Sequence, residues 1–333
     1  MRDPVTGFDY PEEWVTRCKD PKKLGEVEAG LSVLTSTGQV LRRGFTTGTT
    51  AAAACKAAIL SLQGDVDSVD VRLPCGLSVE VPAVGRKGVG RCAKFSGDYP
   101  SDVTSGLVFV AMANPTSVIA IQPGRGIGRF SRDTPRGFKG TAAISPPARG
   151  EITLAIREAA RAIGAPGASV HLEAEGGERI GPRTLNPRVG VEGGISVLGT
   201  TGLVEPWDDH LEESNLERIA GADRVVLTTG RMGLRFSRLA FPDHEIVLVG
   251  AKMEKAIAAA RGEAILAGLP ALILKFLDPE ILAGSGYSTV EELMTSSEGT
   301  GRMSEALSKG KQRYPDLRVV LFDRHGSVVG DSG

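Results

Sequence analysis

Arg42 to Leu62 reads RRGFTTGTTAAAACKAAILSL. Alanine is the strongest helix former, and nothing after Gly48 breaks the run, so the pattern predicts a helix that packs through small residues. The threonines stand where helix N-caps stand. One cap suffices for a helix. Thr46, Thr47, Thr49 and Thr50 around Gly48 supply more hydroxyls than that. Free N–H groups, hydroxyls and the positive end of the helix dipole suit a carboxylate or phosphate. The same residues also suit an over-decorated cap, and the stretch alone leaves the two readings balanced.

The chain has 333 residues, enough for two domains with cores of their own. Lys plus Arg number 39 against 40 Asp plus Glu, a near-neutral balance that argues against general nucleic-acid binding. Abundant glycine (43 residues) with only 5% aromatics suits an α/β enzyme rich in tight turns. Cys18, Cys55, Cys75 and Cys92 show no CxxC spacing and read as reduced thiols. The N-terminus lacks the apolar segment of a secretory signal, and no uncharged apolar run is long enough to span a bilayer. The expected location is therefore the cytoplasm, with no membrane or nucleic-acid partner.

Residues 1–35 are polar and proline-punctuated and read as an N-terminal extension with one short helix. An α+β domain is expected over 36–205. After the alanine helix, VDSVDVRLP and LSVEVPAV alternate around Pro74-Cys75-Gly76 as a hairpin. GLVFVAMA and SVIAIQP read as strands separated by a turn at Asn114-Pro115. A long Arg- and Gly-rich loop follows over 122–150, then the helix EITLAIREAARAIG and the strand ASVHLEAE. From 206 to 333 the character changes. ADRVVLTTG, HEIVLVG, LPALILKFL and DLRVVLFD read as four buried strands, with a long helix over AKMEKAIAAARGEAILAG, and this alternation predicts a mostly parallel, doubly wound sheet. The boundary is expected near Pro206-Trp207.

Three TTG triplets mark predicted element ends: Thr46-Thr47-Gly48, Thr200-Thr201-Gly202 and Thr228-Thr229-Gly230. The third ends the first strand of the second domain, where open α/β sheets bind ligands. Thr228, Thr229, Gly230 and Gly233 are therefore candidates for a ligand site, though each triplet also reads as a plain strand-to-helix turn and none identifies the ligand. The 122–150 loop carries Arg125, Arg129, Arg132, Arg136, Lys139 and Arg149, and forked guanidinium groups suit a ligand rich in carboxylates. A merely solvated loop is the competing reading. GRGIG in this loop is a weak dinucleotide signal, because no helix follows it. Asp98 and Asp102 in GDYPSDVTSG suit a ribose, a cation or a basic side chain, and equally suit turn caps. His171, His210, His244 and His325 are scattered, so no metal site is expected.

At RRGFTTGTTAAAACKAA, GDYPSDVTSG and NPRVGVEGGISVLGTTGLVEP the chain resembles the cobalt-precorrin-5B C-1 methyltransferases of anaerobic cobalamin biosynthesis, the CbiD family. The resemblance runs from about Leu41 to Pro206 and weakens through VVLTTGRMG. It implies an N-terminal S5-domain-2-like α+β domain followed by a Rossmann-like α/β domain. It implies transfer of a methyl group from S-adenosyl-L-methionine, a co-substrate, to C-1 of a cobalt corrinoid, giving cobalt-precorrin-6A. With it, Thr46, Thr47, Gly48, Thr49, Arg125, Arg129, Arg136, Arg149, Asn186, Arg188, Gly199, Thr200, Thr201 and Gly202 are expected at the substrate. Asp98, Asp102, Glu205, Thr228, Thr229, Gly230 and Gly233 are expected at the donor. No catalytic residue is assigned, and the oligomeric state is left open, a homo-oligomer being compatible.

The chain departs from the family pattern at Ser145, where asparagine is usual. At Gly250-Ala251-Lys252-Met253-Glu254-Lys255 it lacks a Gly-His-Ile-Gly-Lys segment, and the Asn-Thr-His-Ser segment usual after it has no counterpart. Two other readings compete. One is a small-molecule phosphotransferase, weakened by the lack of a phosphate loop. The other is a non-catalytic tetrapyrrole-binding relative, prompted by the missing histidines.

Overall fold

The structure, a computed structural model, describes residues 1–99, 102–134, 137–206, 215–250 and 252–333. The chain divides into two units, Leu41–Asp208 and a second made of Met1–Val40 with Asp209–Gly333.

The Leu41–Asp208 unit is built on a six-stranded sheet. Its spatial order is Val66–Arg72, Ser78–Arg86, Val89–Ala93, Val108–Thr116, Gly167–Ala174 and Ala120–Pro123. Neighbours are antiparallel except the last pair. The alanine helix, Thr47–Leu60, is buried from Thr47 through Ile59 save for Lys56. A helix apolar all round must be enclosed, and the sequence makes room for it. A Cβ on Gly85 would run into the Ala57 carbonyl oxygen, and one on Gly90 into that of Ala54. Alanine facing glycine lets helix and sheet backbones approach closely. On its other side lies the helix Pro146–Ala162.

The expected hairpin around Pro74-Cys75-Gly76 forms, with Val69 opposite Val81. Val89–Ala93 is a strand the sequence did not disclose. Val108–Thr116 runs straight through Asn114-Pro115, and the chain bends instead at Ser117-Val118. Pro115 fits there because the Val89–Ala93 strand pairs only as far as Met112, so no partner on that side needs its missing N–H. The expected loop over 122–150 ends early. Ser145 caps a helix that begins at Pro146, a favoured residue at the first helical position.

In the second unit the sheet order is Glu245–Leu248, Arg224–Thr229, Glu263–Gly268, Leu317–Phe322, Val328–Asp331. The first four strands are parallel and the last is antiparallel. Two sequence expectations are corrected. The long helix over AKMEKAIAAARGEAILAG stops at Ala259, and Glu263–Gly268 is the central strand. LPALILKFL is not a strand but a helix, Pro270–Leu277. A short run of apolar residues fits either state. Here Pro270 starts the helix, and Ile273, Leu274 and Leu277 make its buried face.

Residues 1–35 are not a detached extension. They fold as two helices, Glu12–Arg17 and Pro21–Glu28, and pack into this second unit. The Phe8 ring packs, tilted, at 5.9 Å from that of Phe236, which meets Phe322 at 5.8 Å. The Ser36 amide donates to the Leu239 carbonyl at 2.9 Å, capping the end of the helix Gly230–Ala240.

Candidate functional site

The N-terminus of the alanine helix is clasped by the segment 196–202. Thr46 is the cap, its Oγ1 accepting from the Thr49 amide at 3.2 Å. The Thr47 hydroxyl accepts the Leu198 amide at 2.8 Å and lies 3.2 Å from the Ser196 carbonyl oxygen. The Gly48 amide donates to the Leu198 carbonyl at 2.8 Å, and the Thr46 amide to that of Gly202 at 3.0 Å. The close fit demands glycine at both contact points. A Cβ on Gly48 would lie 2.9 Å from the Ala148 Cβ, and one on Gly199 would lie 2.6 Å from Thr46 Oγ1.

The two blocks, Thr46–Thr49 and Gly199–Gly202, therefore meet one another directly. The surplus hydroxyls of Thr46, Thr47 and Thr49 bond within the chain rather than standing open at the helix end. Thr201 Oγ1 accepts the Leu203 amide at 3.3 Å in a local turn, and Thr200 is exposed.

Glu151, which the sequence reading did not single out, sits at the centre of this clasp. It is only 4% exposed. Thr49 Oγ1 lies 2.7 Å from Glu151 Oε1 and 2.7 Å from the Gly202 carbonyl oxygen. Oε2 is buried with no hydrogen-bond partner. Burial pushes its carboxyl up to about 7, with the Thr49 hydrogen bond opposing. A signal for it existed. Glu151 falls in register with Ala155 and Ala159, on the buried stripe of its helix, where a charge is out of place.

The arginine loop is laced to the glycine-rich segment. Gly126–Ile127 pairs with Gly194–Ile195, and Arg129–Phe130 with Val191–Glu192. The Ser145 amide donates to the Val197 carbonyl at 3.0 Å. This bonding holds Arg125, Arg129, Arg132 and Arg149 exposed, alongside Arg183 and Arg188 from the partner segment. Arg125 pairs with Glu178 at 2.9 Å, and Arg129 reaches the Gly140 and Pro123 carbonyls. Arg136 lies outside the described residues. Phe138 (75% exposed), Leu198 and Leu185 put apolar side chains on the same segments.

Several expected ligand residues are engaged within the chain instead. Asp102 accepts from Lys94, from Ser96 Oγ at 2.7 Å and from the Thr104 amide at 2.9 Å, with both side chains of the ion pair buried. Burial raises its carboxyl, but the Lys94 charge and these hydrogen bonds outweigh it, and the net shift is downward. Asp98 receives the Arg42 amide at 2.8 Å. Glu205 is gripped by the buried Arg43, at 3.3 and 3.4 Å. Asn186, 5% exposed, donates to the Gly194 carbonyl and accepts from Ser196 Oγ at 2.9 Å, which makes it a brace of the glycine-rich turn. Paired acids and a buried amide looked like ligand groups because a sequence does not show which partners fold onto them.

In the second unit, Thr228, Thr229, Gly230 and Gly233 lie together. Thr229 ends the first strand and pairs with Gly268, which ends the third. The chain order reverses between these two strands, and such switch points open crevices for ligands. Gly230 has φ +69°, and nothing lies within 4 Å of where its Cβ would be. The helices Gly230–Ala240 and Pro270–Leu277 both start here without a side-chain cap. Thr228 Oγ1 and Ser237 Oγ are buried without partners. Among the described residues no cluster of three His, Cys, Asp or Glu could hold a metal, and no helix is long and apolar enough to cross a membrane.

Comparison with known proteins matches residues 27–206 to the CbiD family model. A cobalt-precorrin-5B C(1)-methyltransferase of Methanoregula boonei is 55% identical over 333 residues, covering all of both chains. Its namesake in Methanoculleus marisnigri is 54% identical, covering 99% of each. The crystal structure of the cobalamin biosynthesis protein (cbiD) of Archaeoglobus fulgidus is 34% identical, with a TM-score of 0.57 over 97% of this chain and 100% of that one. These matches extend through the C-terminal third, beyond the reach of the family model. By the match of residues 27–206 to the family model and by its similarity to these relatives along its whole length, the chain belongs to the CbiD family.

Proposed function

We propose that the protein methylates C-1 of cobalt-precorrin-5B, with S-adenosyl-L-methionine as donor, giving cobalt-precorrin-6A in cobalamin biosynthesis. The observation that carries this reading is full-length identity above one half to a relative bearing that name. We read the first unit as the S5-like domain and the second as the Rossmann-like one. The order of its sheet, with the first strand between the second and the third, is compatible with that reading, because such an order contains the switch point on which the fold type relies. A cytoplasmic location fits a biosynthetic enzyme of this kind.

Cobalt-precorrins carry acetate and propionate groups that are ionised at neutral pH. Exposed Arg129, Arg132, Arg149 and Arg188 would bind this fringe, and exposed Phe138 and Leu198 would lie against the macrocycle. Thr200 and the backbone of Gly199–Gly202 would complete the substrate side, held in place by the helix clasp. The donor fits the second unit on one structural ground. The open space at Gly230, beside two uncapped helix starts, would take the donor's nucleoside and carboxylate. When bound, the donor supplies an electrophilic methyl carbon on a sulfonium. The chain's contribution is then to orient and to exclude water, a role that needs no strong acid–base pair.

Binding measurements test this reading. S-adenosyl-L-methionine should bind the purified protein and ATP should not compete with it. Arg129→Ala with Arg149→Ala should weaken corrinoid binding and flatten its salt dependence, leaving donor affinity intact. Preference for ATP would indicate a phosphotransferase.

A further inference from the structure

We propose that Glu151 works as a proton-bearing positioning residue, its neutral carboxyl group fastening the Gly199–Gly202 turn to the alanine helix through Thr49. The inference rests on the reading of that turn as part of the substrate site. It begins with a count of protons. A hydroxyl has one proton to give and two lone pairs to receive. Thr49 Oγ1 has three polar neighbours: Glu151 Oε1 at 2.7 Å, the Gly202 carbonyl oxygen at 2.7 Å and Thr46 Oγ1 at 3.1 Å. If Glu151 is ionised, Glu151 and Gly202 compete for the single Thr49 proton. If Glu151 is protonated, every link closes. Glu151 Oε1–H donates to Thr49 Oγ1, Thr49 donates to Gly202, and Thr46 donates to the second lone pair of Thr49. Thr46 Oγ1 in turn accepts the Thr49 amide.

The surroundings favour the neutral form. Oε2 is sealed from solvent with no donor to meet a charge. Charged groups on the elements packed around Glu151 are engaged elsewhere or point outward. Lys56 of the alanine helix pairs with Glu158 at 2.6 Å, two turns along the seam. Arg149 and Arg157 on its own helix are exposed. Glu205, beyond the turn, is held by Arg43. The downward pull on its pKa comes from Thr49 alone, and burial exceeds it. The clasp is therefore complete well below pH 7 and loses one fastening as pH rises through about 7.

The test compares wild type with Glu151→Gln, whose amide N–H₂ can donate to Thr49 as the neutral acid does. Without ligand, amide exchange at Thr46, Gly48 and Leu198, corrected for intrinsic rates, is followed from pH 5.5 to 8.5, about 1.5 units either side of the Glu151 midpoint. Protection in the wild type is expected to fall as pH rises through about 7, while Glu151→Gln holds one value throughout. Thr49→Ser, which keeps the hydroxyl, should retain the wild-type profile. In the second arm, wild-type corrinoid affinity should decline above pH 7 with a slope approaching roughly tenfold per pH unit, and the Gln variant should not follow. Superimposable protection profiles for wild type and Glu151→Gln would overturn the proposal, as would an affinity slope common to both. A corrinoid that binds neither protein at any pH would refute the substrate reading, and the ligand-free profiles would still decide the role of Glu151.

Discussion

Leu198 holds the start of the alanine helix on both of its backbone groups. Its amide donates to Thr47 Oγ1 at 2.8 Å, and its carbonyl accepts from the Gly48 amide at 2.8 Å. Thr47 is therefore more than a helix cap. Thr47→Ala strands the partly buried Leu198 amide and should cost about 1 kcal/mol of stability, the low end for a group left without its partner. Thr47→Ser should recover most of it. Denaturant titration of both variants checks this. A Thr47→Ala protein as stable as wild type would mean that the clasp contributes nothing to folding.

The closeness of helix and sheet is open to a similarly sharp test. Gly90→Ala would drive a methyl group into the Ala54 carbonyl, with the Ala58 amide nitrogen only 2.5 Å away. Because backbone blocks the space, a loss of about 3 kcal/mol or more is expected, at or above the usual range for overpacking. Gly25, within the helix Pro21–Glu28, has nothing within 4 Å of its Cβ position. Gly25→Ala should instead stabilise by roughly 0.5–1 kcal/mol. Melting temperatures of the two variants should therefore move in opposite directions.

Asp102 offers a dependence on acid. Its folded-state carboxyl lies below the ordinary 3.8, so its contribution is present above that pH and is lost as pH falls through the lowered value. Asp102→Asn removes the charge opposite the buried Lys94 and should cost about 3–5 kcal/mol. It should also remove part of the acid sensitivity below pH 3.8. Stability curves against pH for the two proteins, if they differ by a constant at every pH, would contradict this.

Much of the architecture was legible because it rests on local pattern. The alanine run, the alternation in Ser78–Arg86 and the strand before Thr228-Thr229-Gly230 announce their states. The exchange of helix and strand across 253–277 shows where local pattern stops. EAILAG and PALILKFL are both short and apolar, and only the sheet decides which is enclosed by two parallel neighbours. The site divides in the same way. Arginines crowded into one loop are visible in sequence. That Asp102 meets Lys94, or that Asn186 braces Gly194 and Ser196, depends on partners brought together only by folding. Glu151 was the opposite case, hidden as one acid in an ordinary amphipathic helix until its burial appeared.

The central claim concerns a methyl group, and its transfer can be weighed. The purified protein is incubated with cobalt-precorrin-5B and S-adenosyl-L-methionine carrying an isotopically labelled methyl group, and the corrinoid is recovered for mass spectrometry and carbon NMR. The account predicts one labelled methyl per corrinoid, bonded to C-1, with loss of the product when Arg129 and Arg149 are both alanine. A corrinoid recovered unlabelled under conditions where both ligands bind would contradict it.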